Sequence, residues 1–129
     1  MNRPSLNEVF FEIAAVWAKR GTCAKRQVGA VITDALGYQL SSGYNGQPSG
    51  ASHCARANPC PAFKDPKLSC NAIHAEINAL INCPDVNKAF AIYVTTKPCD
   101  KCMLSIRNTA IELVFYPDSR GDYYMEKIK

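Results

Sequence analysis

The sequence has no apolar run as long as a membrane span, and the segment MNRPSLNEVF has none of the apolar core of a secretory signal. The expected compartment is therefore the cytoplasm. Low-complexity tracts, internal repeats and Ser/Gly-rich linkers are also missing, so nothing divides residues 1–129 and one domain with one core is expected. Charge of one sign is scarce. The formal net charge is +4, without the concentrated basic stripe of a dedicated nucleic-acid binder. The mild charge balance suits an anionic metabolite as well as it suits nucleic acid, and without that stripe nucleic acid is not the expected partner. There are only 2 histidines, so any chemistry that needs imidazole has few places to reside.

Cysteine is the exception, with 7 residues. An odd number without an export signal argues against a disulfide scaffold and for metal binding or thiol chemistry. Around the cysteines, periodicity sets out a coarse order. Ser5 followed by Glu8 predicts a helix start, and Val9, Phe10, Ile13, Ala14, Val16 and Trp17 continue it over residues 6–20. VGAVIT (28–33) reads as a buried strand and YQLSSGY (38–44) as its hairpin partner. Residues 45–69 form a long irregular stretch rich in Gly, Pro, Ser, Asn and Cys, of the kind that is usually functional or pinned. A helix is predicted over 71–82, with Ile73, Ile77, Leu80 and Ile81 toward the core. A strand follows over 89–96, a helix over 99–108, a strand over 111–116, and a polar tail ending in a helical turn. Alternating strands and helices imply an α/β layer fold with some parallel pairing.

Two dyads carry chemistry. His74 and Glu76 lie two residues apart in an apolar segment, and Cys99 and Cys102 follow Pro98 after a strand. Alone, His74 reads as a hydrogen-bonded core histidine beside a solvated glutamate. Alone, Cys99-x-x-Cys102 reads equally as a redox pair, half a zinc site or chance. Together they offer one His and two Cys, a zinc set with a fourth position open for water. A bound zinc lowers the pKa of that water to about 7. On a regular helix His74 and Glu76 would point about 200° apart, so both can face one water only if the helix N-terminus looks straight at the ion, with His74 in the first turn.

His74-Ala75-Glu76 with Pro98-Cys99-Asp100-Lys101-Cys102 resembles the H-x-E…P-C-x-x-C signature of the zinc-dependent nucleobase deaminases, in which the glutamate is the acid/base. RQVGAVIT (26–33), GYNGQPSG (43–50), CNAIHAEINAL (70–80) and YVTTKPCDKC (93–102) are similar, in this order, to deoxycytidylate (dCMP) deaminases of bacteria and phages. The resemblance implies a three-layer α/β/α cytidine-deaminase-like fold with a central mixed sheet. It implies hydrolytic deamination of dCMP to dUMP and ammonia, feeding thymidylate synthesis. Zinc on His74, Cys99 and Cys102 would supply hydroxide, and Glu76 would shuttle the proton.

By the same resemblance, Asn45 hydrogen-bonds the nucleotide, and Thr95, Pro98 and Ala75 line its pocket. Arg26, Lys25 and Arg120 are candidates for the phosphate, although each alone reads as well as solvated charge. Gly43, Tyr44, Gly46, Pro48 and Gly50 belong to a nucleotide loop which, in dCTP-responsive members, also serves an allosteric site with Mg²⁺. dCTP and dTTP are implied effectors, and a homo-oligomer, a hexamer foremost, is the implied assembly. Cys23, Cys54, Cys60 and Cys70 bracket the irregular stretch and match a structural zinc carried by some family members, with His53 as a substitute for Cys54. The bland alternative for these four is free thiols, and Cys83 reads as a small core residue. Other readings of the chain are a deaminase of a modified dCMP, a free nucleoside or a nucleic acid, a thiol-disulfide oxidoreductase, and a non-catalytic zinc module. The last two leave Glu76 unexplained.

Overall fold

The structure, a computed structural model, describes residues 2–22, 26–46 and 73–129. Helix α1 (Leu6–Ala18) begins where Ser5 Oγ accepts from the Glu8 N–H at 3.2 Å. Strands β1 (Gly29–Thr33) and β2 (Gln39–Tyr44) pair antiparallel through a turn at Asp34 and Gly37. Gly37 takes φ 87°, which a side chain would oppose, and Asp34 Oδ1 accepts from the Leu36 and Tyr38 N–H groups. Next come α2 (Ala75–Ile81), a short 3₁₀ turn (Val86–Lys88), β3 (Ala91–Val94), α3 (Asp100–Arg107), β4 (Leu113–Pro117) and β5 (Tyr123–Lys127).

The five strands form one mixed sheet in the order β2-β1-β3-β4-β5, with β3 and β4 parallel and the other pairs antiparallel. The parallel pair needs a crossover, and α3 supplies it. Alternation along the strands divides the core in two. Ala30, Ile32, Ile92, Val94 and Val114 face Ala75, Ala79 and Ile106 of α2 and α3. Val31, Ala91, Tyr93 and Phe115 face Phe10, Phe11 and Ala14 of α1. Helices thus cover both faces, which is why all five residues of β1 are buried and why β1 reads as a continuous apolar run. Ile92 is fully buried in the middle strand. Ile92→Ala is expected to cost about 2–5 kcal/mol, read as a lower urea midpoint at unchanged slope.

Two expectations are corrected. The tail forms β5, antiparallel to β4, instead of a helical turn. It is fastened by Tyr116, whose hydroxyl donates to Glu126 Oε1 at 2.8 Å. The helix expected from residue 71 begins at Ala75, because Ile73 is bridged to Gly46. Its buried face is Ala75, Glu76 and Ala79, while Ile81 is 70 % exposed. No helix among the described residues is long and apolar enough to cross a membrane.

Candidate active site and metal centre

The site lies beyond the carboxyl end of β3, where ligands of open α/β sheets commonly bind. After Val94 the chain runs through Thr95 and buried Pro98 to Cys99, the N-cap of α3, whose second and third residues are Lys101 and Cys102. Cys99 and Cys102 are three apart on one helix face, at the end of the dipole that favours anionic sulfur. From the other side comes His74, the N-cap of α2. Its backbone is extended (φ −70°, ψ 151°) and its ring makes no capping bond, which leaves the imidazole to face the cysteines. His74 Nδ1 lies 3.2 Å from Cys102 Sγ and 3.6 Å from Cys99 Sγ. All three ligand atoms fall within 4.8 Å of one another, and they are the metal-capable group of His, Cys and acidic residues found among the described residues.

These separations fit zinc. Zn–N and Zn–S bonds at tetrahedral angles put nitrogen and sulfur about 3.6 Å apart. The charges fit as well. Glu76 is 3 % exposed, and among the described residues no Lys or Arg pairs with it. Burial first, then the Glu76 carboxylate and a hydrogen bond with Cys99, pushes the Cys102 thiol far above the ordinary thiol range. A buried carboxylate beside buried sulfur is costly without a cation, and a divalent ion deprotonates such a thiol outright.

Helix α2 is held against β2 by three devices, of which Ser41 and Asn78 were not singled out by motif reasoning and Gly43 was assigned to a nucleotide loop. Ser41 Oγ donates to the Ala79 carbonyl at 2.6 Å, and Asn78 Nδ2 donates to the Tyr44 carbonyl at 2.8 Å. A Cβ on Gly43 would sit 2.6 Å from both the Ala75 carbonyl oxygen and the Ala79 nitrogen. Ala75 and Ala79, one helical turn apart, were the readable sign of this close approach. Gly43→Ala is expected to push α2 off the sheet, lowering the melting temperature and cutting kcat/KM by roughly ten- to a hundredfold. An alanine variant with wild-type turnover and melting temperature would remove Gly43 from this role.

The other sequence-derived positions are distributed as follows. Ala75 is fully buried at the start of α2. Thr95 Oγ1 accepts from the Gly29 N–H at 3.1 Å, which joins the end of β3 to the start of β1. Gly43 and Tyr44 belong to β2 and not to a loop, and Gly46 forms the bridge to Ile73. Arg26 and Arg120 are exposed, Arg26 ahead of β1 and Arg120 in the β4–β5 turn, and both positions lie at the site's end of the sheet. Asn45 is 7 % exposed, and its amide bonds the backbone of Arg26 and Val28. Cys23, Lys25, Pro48, Gly50, His53, Cys54, Cys60 and Cys70 lie outside the described residues.

Residues 4–117 match the family model described as the cytidine and deoxycytidylate deaminase zinc-binding region. The chain belongs to this deaminase family. The deoxycytidylate deaminase of Mycobacterium phage D29 is 36% identical over 129 residues, covering 91% of this chain and 98% of that protein. The deoxycytidylate deaminase of Schizosaccharomyces pombe is 35% identical over 91% of this chain, which spans 38% of that relative. Among solved structures, the apo dCMP deaminase of cyanophage S-TIM5 superposes with a TM-score of 0.70 and 26% identity, over 90% of this chain and 85% of that one. The deaminase thus has the family's α/β fold, with a central mixed sheet between helical layers, and the family's zinc-binding His-Cys-Cys group.

Proposed function

We propose that the deaminase hydrolyses dCMP to dUMP and ammonia. The observation that carries the chemistry is the convergence of His74, Cys99 and Cys102 with Glu76 buried beside them. The deoxycytidylate deaminases that align along nearly all of this chain support the substrate.

A zinc ion held by His74, Cys99 and Cys102 would supply acidified water for the hydrolysis. Glu76 accepts a proton from the attacking water as the water oxygen adds to C4 of the cytosine. Glu76 then returns the proton to the amino nitrogen, the C4–N bond breaks, and ammonia leaves. Overall, water and dCMP become dUMP and ammonia. Ala75, Thr95 and Pro98 form the wall around the base, and Arg26 and Arg120 answer the phosphate. A second zinc on Cys23, Cys54, Cys60 and Cys70, effector control by dCTP and dTTP with Mg²⁺, and a hexamer belong to the same reading. Metal analysis and sedimentation with and without dCTP test them.

The deciding experiment is ammonia release by the zinc-loaded protein with dCMP and deoxycytidine in parallel. Turnover of dCMP far above that of deoxycytidine is the expected result. Preference for deoxycytidine would move the substrate to a nucleoside, and activity toward neither would remove both.

A further inference from the structure

Two hairpins of this chain turn on the same pattern, Asp-x-x-Gly, at opposite ends of the sheet. In the β1–β2 turn the Asp34 N–H donates to the Tyr38 carbonyl at 2.9 Å, and the Gly37 N–H to the Asp34 carbonyl at 3.2 Å. In the β4–β5 turn the Asp118 N–H donates to the Asp122 carbonyl at 2.7 Å, and the Gly121 N–H to the Asp118 carbonyl at 3.0 Å. The carboxylates repeat the match. Asp34 Oδ1 accepts from the N–H groups of Leu36 and Tyr38 at 3.0 and 2.9 Å. Asp118 Oδ1 accepts from those of Arg120 and Asp122 at 2.8 and 3.0 Å. Gly37 and Gly121 take φ 87° and 86°, the left-handed backbone that glycine allows. Aspartate first and glycine fourth are ordinary turn chemistry.

The two turns differ in the third residue and in location. The β1–β2 turn, at the end of the sheet away from the site, carries exposed Leu36. The β4–β5 turn carries Arg120, and it lies at the site's end because β4 runs parallel to β3. Arg120 has an acid two residues to either side, Asp118 and Asp122. Yet the ion pairs among the described residues are Lys88 with Asp85 and Arg107 with Glu126. Asp118 Oδ1 is aimed at the backbone, the N–H of Arg120 included, so the carboxylate fixes the main chain of the arginine without pairing with its guanidinium.

We infer that Asp118 is a positioning residue for the substrate: its carboxylate anchors the β4–β5 turn so that Arg120 meets the phosphate of the nucleotide with its guanidinium free. This rests on the reading above in which Arg120 answers the phosphate. Gripping an anion costs an arginine rotamer freedom in any case, and a loose turn would add the ordering of its backbone to that cost. The anchor therefore acts on phosphate affinity and not on the chemical step.

The test compares Asp118→Ala with Asp34→Ala, its counterpart in the other turn, in the zinc-loaded protein. Each removes the same pair of bonds, so both should lower the melting temperature by similar amounts. Asp118→Ala is expected to raise KM for dCMP about five- to tenfold, with kcat, and kcat/KM for deoxycytidine, within about twofold of wild type. Asp34→Ala should leave all three within about twofold. Asp118→Asn should restore KM, since an amide oxygen accepts the same two bonds. Gly121→Ala is a second route to the same result: a Cβ there meets nothing within 4 Å, so only the left-handed backbone is strained, and KM for dCMP should rise again.

Equal losses on both substrates, a matching rise of KM in Asp34→Ala, or no rescue by asparagine would overturn the inference. If Arg120→Ala raises KM for dCMP while Asp118→Ala and Gly121→Ala do not, the inference falls and the phosphate reading stands. If the wild type ignores dCMP, or Arg120→Ala leaves its KM unchanged, that reading falls and takes the inference with it.

Discussion

Glu76→Gln is expected to keep the metal and to lower turnover by about 10²–10⁴-fold. The amide has the shape of the carboxylate and can still hydrogen-bond water, but it cannot take up a proton and give it back. Its effect should therefore appear in kcat, with KM for dCMP nearly unchanged, since nothing in the arrangement gives Glu76 a part in holding the phosphate. A second effect has the opposite sign. Glu76 is 3 % exposed, and its charge helps keep the Cys102 thiol protonated. Removing that charge relieves the metal-free protein of an uncompensated buried carboxylate, so chelated Glu76→Gln should melt above chelated wild type. Zinc analysis, steady-state kinetics and melting curves on the same preparations check all three points. Full activity in a zinc-replete glutamine variant would refute the proton-shuttle assignment.

What the sequence disclosed and what it hid follow from the strength of the local signal. β1 and β3 were readable because they are buried on both faces, and VGAVIT and AFAIYVTT are continuous apolar runs. α1 was readable from its Ser5 cap and its spacing, although Val16 and Trp17 in that stripe stay largely exposed. β5 was not. Tyr123, Tyr124 and Met125 are each about half exposed, so no alternation marks the strand, which exists through its pairing with β4. The buried face of α2 was misjudged for a related reason. Bulky Ile77 and Ile81 are strong signals and Ala75 and Ala79 weak ones, yet Gly43 lets the small residues approach the sheet most closely.

In the site, the ligand spacing was legible because chemistry fixes it. The bonds of Asn45 to the Val28 N–H and the Arg26 carbonyl were not legible, because a side chain completing a backbone ladder leaves no trace in residue order. Only the register, with Gly46 leaving for Ile73, shows that Val28 and Arg26 need a partner.

Removing the metal, by chelation or by Cys102→Ser, is expected to abolish turnover and to lower stability. Cys102 is 2 % exposed and joins α3 to His74 at the head of α2, so the ion ties two helices that meet the sheet separately. A ligand bound to the folded form alone at a thousand times its dissociation constant contributes about 4 kcal/mol. For a chain of this size that amounts to a fall in melting temperature of roughly 10–20 °C. The pH dependence has a defined sign. The raised Cys102 pKa means that the metal-free fold keeps its thiol proton throughout the neutral range, and its own stability declines only as pH climbs past the ordinary thiol range. Zinc uptake expels that proton, so zinc affinity should rise about tenfold per pH unit for each proton released, and the holo form should gain on the apo form from pH 6 to 8. Titrating zinc into the chelated protein at several pH values, with proton release followed in weak buffer, measures this directly. Cys102→Ser should lose one equivalent of zinc and the pH slope together. A serine variant that retained both, with wild-type turnover, would place the metal elsewhere in the chain.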